Sequence, residues 1–156
     1  MKQVTLLFLR KENQILLAMK KRGFGEGMWN GTGGKVDPGE TITEAAIREC
    51  QEEIGVTPQN LTYAGRLHFF MPDDPKFEHD CFIFETQHWE GEPAESEEMR
   101  PQWFDITDIP YAKMWPDDVL WMPHLIVHEL FTGIVNASET EVISHDIKIV
   151  SNLQEL

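Results

Sequence analysis

GKVDPGETITEAAIRECQEEIGV occupies residues 34 to 56, and its reading decides the fold. Thr41 followed three residues later by Glu44 has the pattern of a capping box, and Gly55 stands where a helix would stop. Between them Ile42, Ala46, Cys50 and Ile54 recur every fourth residue, with Ala45 and Ile47 widening the stripe. The spacing predicts an amphipathic helix over 41–55 with one buried face. Glu49, Glu52 and Glu53 stand at i, i+3 and i+4, within an arc of about 100°. Like charges so placed repel by roughly a few tenths of a kcal/mol per pair, and a divalent cation turns that repulsion into attraction. Oxygen-only donors of this kind suit magnesium or manganese. Three clustered glutamates on a helix also suit a plain solvated face, so the helix alone leaves both readings open.

On the N-terminal side, GFGEGMWNGTGG (23–34) carries six of the chain's 11 glycines and reads as a loop. Before it, VTLLFL (4–9) and ILLAMKK (15–21) read as two strands, with the polar RKENQ as their hairpin connection. On the C-terminal side LTYAGRLHFF (61–70), HDCFIFET (79–86) and MRPQWFDI (99–106) are further strands. A second helix is expected from after Trp115 to about Phe131, with Pro123 in its first turns or at a kink. NASETEVISHDIKIV closes the chain with one or two strands. Strands interleaved with two main helices give an α+β fold, a mixed sheet between helices. No linker-like boundary interrupts residues 1–156, so one domain is expected.

A net charge of −14 argues against binding a nucleic acid polymer or an anionic membrane. Lys20, Lys21 and Arg22 form a local basic spot just before the glycine loop, which suits a compact anion instead. The apolar run at 4–9 is too short for a signal peptide, and no stretch approaches the roughly 20 apolar residues of a membrane span. Cys50 and Cys81 lack paired spacing and suit a reducing compartment. The reading is a cytoplasmic monomer acting on a small molecule.

Residues 34–56 resemble the Nudix box, G-x5-E-x7-R-E-U-x-E-E-x-G-U, where U is a bulky aliphatic residue. Gly34, Glu40, Arg48, Glu49, Glu52, Glu53, Gly55 and Val56 are in register, and Cys50 at the first U position is the one departure. The resemblance implies an α/β/α sandwich and hydrolysis of a nucleoside diphosphate linked to a further group. It implies that Glu49, Glu52 and Glu53 hold Mg2+, with Mn2+ the alternative, and that the Gly33–Gly34 backbone contributes a carbonyl. Glu53, or else Glu52, would be the base. Glu98, in ESEEMRP, is the candidate for a further carboxylate from another loop. Arg48 would orient the cluster, Glu40 would support the helix rather than bind metal, and Gly55 would end it.

MKKRGFGEGMWNGTGGKV (19–36), ESEEMRPQWF (95–104) and YAKMWPDDVLWMP (111–123) resemble the branch of that family acting on oxidised purine nucleoside triphosphates. By that likeness Trp115 would stack on a purine, Pro116 would belong to the binding set, and Asp117 and Asp118 would read the purine's ring N–H and amino groups. Two carboxylates so close in a dry pocket do not both ionise easily, so one would keep its proton. Without the likeness, the aspartates also suit an ordinary helix N-terminus. Asn30 would meet a purine edge, while Thr5 and Lys20 would line the base and sugar. Phe24, Phe69 and Met99 would form apolar walls, and Thr32, Gly33, Gly34 and Lys35 would complete the binding set. His79 and Thr32 depart from the pattern, which has an apolar methionine and a bulkier aromatic there. The expected reaction is hydrolysis of 8-oxo-dGTP or 2-hydroxy-dATP to monophosphate and pyrophosphate. The alternatives are O6-methyl-dGTP, ADP-ribose or a nucleoside diphosphate sugar as substrate, or a non-catalytic nucleotide-binding domain.

Overall fold

A computed structural model describes residues 1–155. The central strands alternate strictly between two apolar faces, and this places the helices. Along β1 (Lys2–Lys11), Leu7 and Leu9 face one side and Phe8 the other; along β6 (His79–Thr86), Phe82 and Phe84 oppose Cys81 and Ile83. The first set packs with Ala46, Cys50 and Ile54 of α1 (Ile42–Ile54). The second packs with Trp121, Met122 and Leu125 of α2 (Asp118–Ile126). Each fully buried large side chain contributes about 1.5–3 kcal/mol, so both helices are held mainly by these faces. The result is the expected α/β/α sandwich.

The remaining strands are β2 (Gln14–Lys20), β3 (Trp29–Asn30), β4 (Thr57–Gln59), β5 (Thr62–Phe70), β7 (His88–Glu90), β8 (Met99–Asp105), β9 (Phe131–Ala137) and β10 (Val142–Ile149). The main sheet runs β10-β9-β5-β6-β1-β2-β3, with β8 also on β2. β1 and β6 are parallel, as are β5 and β9; the other named pairs are antiparallel, so the sheet is mixed. β1 and β2 meet only at Arg10–Ile15 and Lys11–Gln14, across a turn at Glu12 and Asn13. Beyond that the two strands part, and residues 32–35 lie antiparallel beside β1 through bridges Leu7–Thr32 and Val4–Lys35. The glycine loop thereby becomes part of the sheet.

α1 has the anticipated ends: Thr41 and Glu44 form both bonds of the capping box, and Gly55 is left-handed (φ 73°). α2 corrects the expectation. It stops at Ile126, because His128 turns left-handed (φ 60°) and Phe131 is already paired in β9 with Gly65 and Ile149. Pro123 lies inside α2, where it cannot donate to the carbonyl one turn back. Two short features have no counterpart in the sequence reading: β3 within the glycine loop, and the β4–β7 ribbon.

Candidate active site

Gly33 and Gly34 join the two halves of the site. The loop passes so close to β1 that a Cβ on Gly33 would stand 1.8 Å from the Thr5 carbonyl oxygen. A Cβ on Gly34 would stand 2.6 Å from Glu49 Oε1, so a side chain is excluded at Gly33, where the neighbour is backbone, and at Gly34 would displace the Glu49 carboxylate. The Gly33 N–H donates to Glu53 Oε1 at 2.8 Å, tying the loop to the carboxylate helix.

Glu53 is 3% exposed. Burial, reinforced by the charges of Glu49 and Glu98, pushes its carboxyl up to about 8, against the pull of the Gly33 N–H. Glu49 is raised for the same first reason, although the Arg48 guanidinium opposes it. Arg48 Nε and Nη2 hold Glu40 as a fork at 2.7 and 3.0 Å. Its Nη1 donates to Glu49 at 3.0 Å and to Glu52 at 3.3 Å, and Nη2 reaches the Lys35 carbonyl at 3.0 Å. The bonds from Arg48 and from the Asp37 N–H lower Glu40 to about 2. Glu98, half-exposed, is held by Arg22 at 3.4 Å.

These are hard oxygen donors, and Glu53 and Glu49 are pushed up first by burial, with the neighbouring carboxylates adding to it. That chemistry fits a divalent cation. Among the described residues no three His, Cys, Asp or Glu side chains converge enough to hold an ion as they stand. Glu49 and Glu52 are turned onto Arg48 and must be released from it to do so.

The other half is a cavity of about 510 Å³ next to the loop. Thr5, Lys20, Phe24, Asn30, Gly33, Gly34 and Lys35 line one side. Phe69, Met99, Trp115, Pro116, Asp117 and Asp118 line the rest. Thr32 is the exception and corrects the sequence reading: its bridge to Leu7 turns its side chain toward the α1 face, where its hydroxyl contacts the Leu7 carbonyl and the Cys50 thiol. Residues 31–35 are extended, so the side chain between two cavity-facing glycines points away.

Asp117 takes the N-cap position of α2 but makes no capping bond with its side chain, so an ordinary helix-start role does not account for it. Its Oδ2 accepts from the Trp121 indole N–H at 2.8 Å. Asp118 is 2% exposed and its Oδ2 has no partner. Burial, then the adjacent Asp117 charge, push Asp118 well above the usual carboxylate range. Asp117 is raised by burial too, against the pull of the Trp121 N–H. Trp115 stacks on Phe24 with centroids 5.1 Å apart. Asn30 Oδ1 accepts from the Gly31 N–H at 2.8 Å, which fixes its carboxamide.

Several lining groups were not anticipated. Phe77, Met71 and Cys81 share the wall with His79. The His79 ring stacks on Phe69 at 5.2 Å, and burial lowers its pKa; as a neutral ring its Nδ1–H donates to the Phe77 carbonyl at 2.6 Å. Trp121, the partner of Asp117, also lines the cavity. Its i+4 spacing from Asp117 was readable, but only knowledge of the helix phase assigns it.

A carboxylate helix behind a glycine loop, beside a purine-sized cavity in an α/β/α sandwich, defines a hydrolase of phosphate anhydrides. The chain belongs to the NUDIX family, whose domain model matches residues 1–125. It is 44% identical over 155 residues to the oxidized purine nucleoside triphosphate hydrolase of Danio rerio, covering 99% of this chain and 96% of that one. The Mus musculus protein of the same name is 42% identical over 149 residues, with 95% of each chain covered. The mutator MutT protein from Bacillus halodurans superposes with a TM-score of 0.81 at 27% identity, over 94% of this chain and 97% of that one. NUDIX hydrolases need a divalent metal ion. Among the described residues no helix is long and apolar enough to cross a membrane.

Proposed function

We propose that residues 1–156 form one domain that hydrolyses oxidised purine (deoxy)nucleoside triphosphates to the monophosphate and pyrophosphate. The observation that carries this reading is the buried Asp117–Asp118 pair in the cavity wall, where burial raises both carboxyls, Asp118 the further, so that the two do not readily ionise together. Such a pair offers one donor and one acceptor to a purine edge, and Asp118 Oδ2 has no protein partner to give up. The 42–44% identity to proteins named for this substrate class supports the same reading.

In the proposed complex the base lies against Trp115, a contact worth about 1–3 kcal/mol in stacking systems. Asn30 and the two aspartates read its edge. Lys20 lines the base and sugar side with Thr5, and Lys35 draws the triphosphate along the Gly33–Gly34 loop. Glu49, Glu52, Glu53 and Glu98, with the Gly33–Gly34 backbone, would hold Mg2+, or Mn2+ in its place. Bound there, the ion supplies charge neutralisation at the phosphates and a more acidic water. Glu53, fixed by the Gly33 N–H, takes the proton from the attacking water; Glu52 on the same face is the other candidate. Water attacks an inner phosphorus, and the bond between the α and β phosphates breaks. The −14 charge and the small cavity support a cytoplasmic monomer acting on free nucleotides rather than on a nucleic acid polymer or a membrane.

Asp117→Ala with Asp118→Ala tests the recognition role. KM for 8-oxo-dGTP and 2-hydroxy-dATP should rise by about tenfold or more, with far less change for dGTP. An unchanged preference in the folded double variant removes the assignment.

A further inference from the structure

Arg10 ends the apolar run of β1 and reads in sequence as the start of a polar connection, yet it is 3% exposed. Its Nη1 donates to Glu85 Oε2 at 2.9 Å and to the Leu125 carbonyl at 3.2 Å, and its Nη2 donates to the Ile126 carbonyl at 3.2 Å. Glu85 Oε1 meets His128 Nδ1 at 2.6 Å, and the His128 N–H closes onto the Leu125 carbonyl at 3.0 Å. The guanidinium therefore spans the last two carbonyls of α2, while its counter-ion sits on β6.

A buried ion pair of this kind is a poor source of stability, since apolar side chains of similar volume often do as well or better. Its best-attested use is to fix register. α2 needs such a device. It is nine residues long, lacks a side-chain cap and contains Pro123, so it has little stability of its own. Its apolar contacts, Met122 among them, tolerate small slides. A planar fork on two successive carbonyls does not.

The two ends of α2 serve different purposes. It runs in the same sense as β6: Asp117 and Asp118 lie over Cys81, and Leu125 and Ile126 lie over Glu85. Eight residues separate Asp118 from Ile126, about 12 Å of helix, short enough to move as a rigid unit. A slide or turn at the Arg10 end displaces the carboxylates at the cavity end by a similar amount. We infer that Arg10 is a positioning residue for base recognition, registering α2 so that Asp117 and Asp118 meet the purine edge. This rests on the reading that those aspartates recognise the base.

The test replaces the pair by apolar chains, Arg10→Met with Glu85→Met, beside a cleft of about 600 Å³ that both residues line and that gives them room. Folding is checked by circular dichroism. Two readouts follow: solvent exchange of the Trp121 indole N–H by NMR, and kcat and KM for 8-oxo-dGTP and dGTP. The inference predicts faster exchange at Trp121. It also predicts a loss of preference of about fivefold or more, carried by KM, with kcat within about twofold of the original. Arg10→Lys keeps the charge but cannot span both carbonyls; it should show a smaller loss of the same kind, and it carries the test if the double variant does not fold. A purely structural role would lower stability without separating the two substrates. If the unaltered protein prefers 8-oxo-dGTP and the folded variant keeps that preference, this inference alone falls. If the unaltered protein has no preference, the base-reading role fails first and the positioning role falls with it.

Discussion

Replacing Glu53 by Gln should make the metal-free protein more stable while abolishing turnover. Glu53 rises from an ordinary value near 4.5 to about 8, chiefly because it is buried. With the folded value above the unfolded one, the contribution of this group to stability is fully present below about 4.5 and is lost as pH rises through about 8. Each pH unit between 4.5 and 7 costs about 1.4 kcal/mol, so holding Glu53 protonated, as its burial demands, costs the folded state about 3 kcal/mol at neutral pH. Gln removes that cost and its amide oxygen still accepts from the Gly33 N–H, while burying the extra amide N–H donors gives back about 1 kcal/mol. The net gain of about 2 kcal/mol corresponds to about 4–8 °C in Tm for a chain of this size. Thermal unfolding followed by circular dichroism in EDTA at pH 7 and pH 5 measures it. The advantage of Glu53→Gln should be present at pH 7 and nearly vanish at pH 5, and millimolar Mg2+ should raise the Tm of the unaltered protein only. A variant no more stable than its parent at pH 7, or a difference independent of pH, would refute the electrostatic account of the cluster.

Three other substitutions probe separate parts of the site. Arg48→Met removes the fork on Glu40 and the bonds to Glu49 and Glu52; the Mg2+ concentration giving half-maximal turnover should rise by about tenfold or more. Gly33→Ala places a methyl 1.8 Å from the Thr5 carbonyl oxygen; a loss of about 3 kcal/mol or more in urea unfolding is expected, with little loss of soluble signal taken as evidence against the close approach. Trp121→Phe deletes the indole donor to Asp117. That bond to a buried carboxylate is worth about 1.5–3 kcal/mol, so KM for 8-oxo-dGTP should rise by about tenfold or more while kcat for dGTP holds.

The parts legible in the sequence are those fixed by local rules. α1 carries its capping box, its stop glycine and its four-residue stripe within 15 residues, and the structure has each of them. β6 begins and ends where HDCFIFET does, because turn residues bound an apolar run. What escaped depends on distant partners. The end of α2 is set by His128 turning left-handed and by the pairing of Phe131 with Gly65, sixty-six residues away in sequence. β3, β4 and β7 are two or three residues long and exist only because a neighbouring strand offers bonds. The orientation of Thr32 follows from its bridge to Leu7 rather than from its neighbours in sequence. Arg10 looked like the start of a solvated turn, and only the packing of α2 onto β1 and β6 explains its burial.

The likeness at 95–104 and 111–123 drew attention to residues that the structure brings to one cavity wall, yet it did not say which aspartate is pushed up further. That follows from the deeper burial of Asp118 and from the hydrogen bond of the Trp121 indole, which favours charge on Asp117. It likewise did not place His79 as a neutral ring stacked on Phe69.

The central claim is that this cavity reads an altered purine. Pyrophosphate release with Mg2+ from 8-oxo-dGTP, 2-hydroxy-dATP, O6-methyl-dGTP, dGTP and ADP-ribose tests it most directly. The account predicts kcat/KM for the oxidised purines at least about tenfold above that for dGTP, with little turnover of ADP-ribose. Equal rates for every triphosphate, or preference for ADP-ribose, would contradict it.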